Sequence, residues 1–246
     1  MAVDIGPELY EAIQADFKAG VNMNIGIQKI MKKVMNGKAT QADMSNMSNL
    51  FGREASKALK RSLVLAELPN ETLYWNIAEN TIQPLLVKAW ENVNNYAAIQ
   101  QSFADEKSGI AIKITEGLNP TERARQVMNM AVNCVTQEEL DNALTDPTIT
   151  AVRKFYDDFQ KENMRLRNDL GLETTVVRVY DGKGLHNGKT PCDWCISREG
   201  AYSYQDAISN GVFERHPGCG CMIEYHTSKG VDVQTDWTTN IWESRR

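Results

Sequence analysis

The chain has 246 residues, 42% apolar and 24% charged, with 5 cysteines, 3 histidines and a formal net charge of −5. That length suits one large domain or two modest ones, since domains usually run ~100 to 200 residues. The excess of 32 Asp plus Glu over 27 Lys plus Arg argues against a main task of neutralising nucleic-acid phosphates, and no stretch reaches the ~20 apolar residues of a membrane helix.

From residue 7 to about 170 the pattern reads as helix after helix. Thr40 opens a run of Met44, Met47, Phe51, Ala55, Ala58 and Leu59, whose spacings of three and four share one face. Asn70 precedes Glu71 and is placed to cap the next helix, and Pro84 is expected to interrupt it, so that a new or kinked helix starts near Leu85. There Leu85, Ala89, Asn92, Tyr96, Ile99 and Phe103, flanked by Leu86, Trp90, Val93 and Ala97, predict the face at the centre of the bundle. Gly109 to Ile114 alternates like a short strand. Asn119-Pro-Thr-Glu122 sets a cap residue, a first-turn proline and a glutamate in order, and Thr136-Gln-Glu-Glu139 is a capping box. Asp146-Pro147 then launches a helix carrying Ile149, Val152, Tyr156, Phe159, Leu166 and Leu170, ending at Gly171. The methionines Met23, Met31, Met35, Met44, Met47, Met128 and Met130 fall at helical spacing and are read as core.

At Gly171 the texture changes. Thr174 to Tyr180 is β-branched and aromatic, a strand by composition, and Met222 to Tyr225 is a shorter one. Between them lie the cysteines and a glycine-rich loop from Asp181 to Pro191. The fold class expected is mainly α: a helical body over 1–170 and a small α+β zinc-knuckle domain over 171–246, with the long last helix packed against it.

Cys134 lies alone, in a sequence that suits a small core residue, whereas Cys192, Cys195, Cys219 and Cys221 fall within 30 residues that also hold His216. The spacing is Cys192-x2-Cys195, then 20 residues, then His216-x2-Cys219-x-Cys221. Two tight turns of this kind can close a tetrahedron around a metal ion. The glycine after Cys219, Gly220, suits a left-handed backbone and favours Cys192, Cys195, His216 and Cys219 as ligands. Cys221, two residues on, is on the same side of an extended segment and can replace Cys219 or stand beside the site as a thiol. A histidine among the ligands prefers zinc to iron, and four good ligands leave no position for a catalytic water, so the Zn2+ is structural. Trp194, between the first two cysteines, is placed to shield the site.

Two enzyme readings compete. Thr190-Pro-Cys-Asp-Trp-Cys195 contains the P-C-x-x-C element of zinc deaminases, but no histidine precedes His186 to supply the required H-x-E. His186-Asn187 beside a knuckle suggests a metal-dependent nuclease. The segment 171–246 carries 8 Lys plus Arg against 10 Asp plus Glu, a balance of −2 that does not suit such a module.

Cys192-Asp-Trp-Cys195, Gly200-Ala-Tyr-Ser-Tyr204 and Val212-Phe-Glu-Arg-His-Pro-Gly-Cys-Gly-Cys221, followed by Ile223-Glu-Tyr225, resemble the minor head proteins of tailed bacteriophages, related to the Mu F-like head morphogenesis proteins. A weaker similarity extends to Ala78–Leu86 and Lys107–Lys113. Gly220 stands where that family usually has arginine. The resemblance implies a virion component, made in the host cytoplasm, with capsid or portal proteins as partners, multiple copies, and a role in head assembly or DNA packaging. Membrane association is not expected, and nucleic-acid contact is secondary. For so small a domain, zinc binding would supply folding free energy on the order of 10 kcal/mol. Met1-Ala-Val-Asp4 lacks the basic and apolar regions of a signal peptide, in keeping with a cytosolic origin.

Overall fold

The computed structural model describes residues 5–180 and 192–227. It is mainly helical, with a small three-stranded sheet near the C-terminal end. The body comprises α1 (Gly6–Met23), α2 (Ile25–Met35), α3 (Gln41–Ser62), α4 (Trp75–Lys107), α5 (Thr121–Ala131), α6 (Gln137–Ala143) and α7 (Asp146–Asp169). Then follow β1 (Thr174–Tyr180), the single turn α8 (Asp193–Ile196), β2 (Gly200–Ser203), α9 (Tyr204–Ser209) and β3 (Cys221–Thr227). No described helix is long and apolar enough to cross a membrane.

Local chemistry sets several helix starts. Thr40 and Asp43 form a reciprocal capping box on α3, and Thr136 and Glu139 form the expected one on α6. Asn119 accepts from the Thr121 N–H (2.9 Å) at the start of α5. The end of α7 also falls as expected, with Gly171 at φ +78° turning the chain toward β1.

Several expectations need correction. Asn70 caps no helix: it sits at φ 52° in a short 3-10 turn, its amide donates to the Tyr74 hydroxyl (2.9 Å), and α4 begins at Trp75. Pro84 does not divide the pattern either, because α4 runs unbroken through it. Ile77, Ala78, Leu85, Leu86, Ala89 and Val93 are buried on both sides of the proline, and that shared burial outweighs a helix penalty of ~3 kcal/mol. The buried stripe also runs along Leu86, Val93 and Ala97, leaving Asn92, Tyr96, Ile99 and Phe103 half-covered on its flank.

Residues 109–114 form no strand. The chain that follows is strapped down by side-chain amides, which supply the partners a neighbouring strand would. The Thr115 N–H donates to Asn163 Oδ1 (3.0 Å), Asn163 Nδ2 donates back to the Thr115 carbonyl (2.7 Å), and the Gly117 N–H donates to Asn94 Oδ1 (2.7 Å). The methionines divide: Met44, Met47 and Met128 are core, while Met23, Met35 and Met130 are exposed at helix ends and surfaces.

Helices α3 and α7 form the central contact of the body. At Gly52 they approach so closely that a Cβ would lie 2.8 Å from the Ile149 Cα. The sheet has order β2-β1-β3, antiparallel throughout, with Arg178 opposite Gly200 on one side and Ile223 on the other, and Tyr180 opposite Cys221. β2, too short and polar to register in the sequence pattern, supplies the second edge. A second apolar cluster of Val176, Tyr204, Ala207, Val212, Phe213, Ile223 and Tyr225 packs on Met164 of α7. The last helix of the body is therefore also a wall of the C-terminal unit.

Candidate metal centre

Cys192 occupies the N-cap position of α8 and Cys195 lies one turn further on, so both sulfurs reach the same side. The opposing turn closes with the Cys219 N–H donating to the His216 carbonyl (3.0 Å). Its left-handed residue is Gly218, at φ +75°, one before the cysteine; the expected Gly220 has no positive φ. The reason is the turn closure itself, which needs the reversal between His216 and Cys219 and not after them. Cys221 is the first residue of β3.

All five sequence-predicted ligands come together. The donor atoms of Cys192, Cys195 and His216 lie within 4.8 Å of one another, and so do those of Cys195, Cys219 and Cys221. Cys195 belongs to both groups. His216 Nε2 is 3.2 Å from Cys192 Sγ and 3.1 Å from Cys195 Sγ, and the Cys195 and Cys219 sulfurs are 3.8 Å apart. A tetrahedral zinc with Zn–S bonds of ~2.3 Å has S–S edges of ~3.8 Å and S–N edges of ~3.5 Å. The thiolate edge therefore already has the spacing a zinc ion requires, and the imidazole edges are a few tenths of an ångström tighter. His216 Nδ1 lies 2.8 Å from the Pro217 carbonyl. A carbonyl only accepts, so Nδ1 carries the proton and Nε2 turns its lone pair to the sulfurs, the tautomer a metal ligand needs.

The cluster is shielded as the sequence suggested. Trp194 meets the His216 ring edge-on (5.4 Å, 86°) and is flanked by the guanidinium groups of Arg198 at 4.0 Å and Arg178 at 5.0 Å. Cys195, Cys219 and Cys221 are buried, and Cys192 is at the surface.

Sequence reasoning missed the cationic shell. Arg178, wholly buried on β1, donates to the Val212 carbonyl, to the Glu214 carbonyl (2.7 Å) and to Cys219 Sγ (3.5 Å). Arg215 donates to the Cys221 carbonyl (2.6 Å) and lies 3.8 Å from Cys219 Sγ, while its other nitrogens pair with Asp157 of α7. Arg153 of α7 donates to the carbonyls of Cys219 and, at 2.7 Å, Cys221. The available signal was a charged residue at an inward position of an otherwise apolar strand, Arg178 in Thr-Thr-Val-Val-Arg-Val-Tyr.

These contacts sort the thiols. A hydrogen bond from Cys221, with Arg215, Arg178 and Arg153 overcoming burial, holds Cys219 far below the usual thiol range. The same hydrogen bond, then burial and the Cys219 charge, pushes Cys221 up. Burial and the neighbouring Cys219 charge raise Cys195 to about 11.

Comparison with protein families, curated proteins and solved structures finds no match. What the Cys/His cluster can do is therefore read from its own chemistry. Cys134 stands apart, half-buried against the body core with its thiol directed at the Met130 carbonyl (3.3 Å). His186, Trp237 and Trp242 lie outside the described residues.

Proposed function

We propose that this chain is a structural component of a tailed-phage head, of the minor head protein type, and that Cys192, Cys195, His216 and Cys219 hold one structural Zn2+. The observation that carries the metal reading is a pair of donor groups sharing Cys195, one with Cys192 and His216 and the other with Cys219 and Cys221, in which the Cys195–Cys219 edge of 3.8 Å has the length a tetrahedral zinc requires. Three thiolates and a histidine suit zinc, and four protein donors fill its coordination, leaving no position for a reacting water. Cys219 is taken as the fourth ligand because its sulfur lies 3.8 Å from Cys195 Sγ and the Arg178 and Arg215 N–H groups are directed at it, with Cys221 beside it in the same group.

The phage reading is supported by where the residues that resemble the minor head proteins are used. Cys192, Cys195, His216 and Cys219 make the knuckle, Tyr204, Val212 and Phe213 make the small core beneath it, and Arg215 ties it to the body. They are spent on shape. The protein accordingly acts through protein contacts, with capsid or portal proteins as partners and several copies per particle, assembled in the host cytoplasm and retained in the virion.

Mass spectrometry of purified virions, with zinc quantification of the isolated chain, tests both parts. The expected outcome is the chain in the particle and one tightly held zinc per chain; absence from virions overturns the assembly role, and absence of zinc overturns the metal centre. DNA cleavage with divalent metal, lost in His186→Ala, would replace the structural role by a nuclease.

A further inference from the structure

Helix α7 tracks the second half of the knuckle residue by residue. Thr150, Arg153 and Asp157, spaced by three and four, lie along one face of it. Thr150 Oγ1 accepts from the Gly218 N–H (3.2 Å), the Arg153 guanidinium bridges the carbonyls of Cys219 and Cys221, and Asp157 pairs with Arg215. Beside them Lys154 donates to the Phe213 carbonyl (2.5 Å), and Gln160 to the Ile223 carbonyl (3.1 Å). Arg153, Asp157 and Gln160 are each at most 3% exposed. Gln160 also donates to Gln41 Oε1 of α3 (2.9 Å), whereas Arg153 and Asp157 direct their hydrogen bonds to the segment that bears Cys219 and Cys221.

We infer that α7 belongs to the metal centre, with Arg153 as a positioning residue that sets metal affinity, so that metal occupancy and docking of the C-terminal unit are one coupled equilibrium. This rests on the reading of the cluster as a metal site. The Arg153 fork fixes the two carbonyls on either side of Gly220 and so fixes where the Cys219 sulfur points. Without that clamp the ligand must be ordered by the metal alone, which weakens binding. By linkage, removing the metal frees the segment and weakens its hold on α7.

The test uses the full chain, zinc and cobalt(II), with Arg153→Met, Arg153→Lys and, as control, Arg167→Met. Arg167 anchors the far end of α7 through Asp105 and the Tyr225 ring. Chelator competition should show zinc bound ~10–100-fold more weakly by Arg153→Met, the range for loss of an outer-shell partner. Arg153→Lys should be weakened as well, because one ammonium cannot span both carbonyls as the fork does. The visible bands of bound cobalt should shift in the Arg153 variants and not in Arg167→Met. Zinc affinity of Arg153→Met within twofold of wild type overturns the inference. A wild-type chain that takes up neither metal overturns the underlying site. Hydrogen exchange on the wild-type chain gives a check that needs no variant. Chelation should raise exchange in α7 around residues 150–160 as well as in 213–223, and an effect confined to the cysteine segments refutes the coupling.

Discussion

Cys219 and Cys221 present the sharpest contrast between neighbouring residues. Cys221→Ser should leave zinc bound at full stoichiometry, whereas Cys219→Ser should weaken it by more than the ~10–100-fold that loss of an outer-shell partner costs, both read by chelator competition. Asp157 supplies a pH signature. Burial alone would raise its pKa, but Arg215 holds it below the ordinary carboxylate value. Its contribution is therefore present above the unfolded carboxylate pKa and is lost as pH falls through the lower, folded one. Asp157→Asn should destabilise the protein by ~3–5 kcal/mol at neutral pH, because it leaves Arg215 a buried charge without its partner. The difference from wild type in urea unfolding should shrink on acidification below about pH 4. Both proteins are compared with chelator present throughout, so that acid loss of metal does not enter that difference. Asp158, the next residue, runs the opposite way: burial outweighs Arg123 and raises it, so its ionised form costs stability at neutral pH. The clustering of the four cysteines and His216 was legible from residue type and spacing alone. Arg153, Arg178 and Asp157 were not, because what makes them part of the site is a fold that places them beside backbone carbonyls far away in sequence.

Helix α4 shows how a local signal yields to packing. Pro84→Ala restores a main-chain donor and removes a ring from a helix already held by its neighbours, and should raise stability by ~1–3 kcal/mol, seen as a higher melting temperature. Unchanged or lowered stability would mean that the proline ring itself packs productively. Elements written in local chemistry could be read in advance: the capping box of α6, the proline-led start of α7, and β1 to its last residue. Elements decided by distant partners could not. Residues 109–114 have a strand's alternation, but the amides of Asn94 and Asn163 hold the chain just beyond as an isolated strap. Asn70 has a cap's chemistry, but the left-handed turn it makes with Glu71 places it before the helix without capping it.

On the scale of the whole chain, the C-terminal unit is small in core and large in polar contact. Its apolar cluster borrows Met164 from α7, and Tyr225 reaches Gln101 of α4 across the junction. The change of texture at Gly171 and the packing of the last helix against the C-terminal unit were both legible in the sequence; the polar character of that seam was not, because Arg153, Lys154, Asp157, Asp158 and Gln160 look like an ordinary solvated helix face. Their burial makes the body a mould for the knuckle. That arrangement has a consequence in time. Translation delivers chains from the N-terminus at ~5–20 residues per second, and domains fold as units during synthesis. All of α7, with its guanidinium fork, leaves the ribosome before Cys192 does. The α7 side chains that clamp the cysteine segment are thus made before the cysteines themselves.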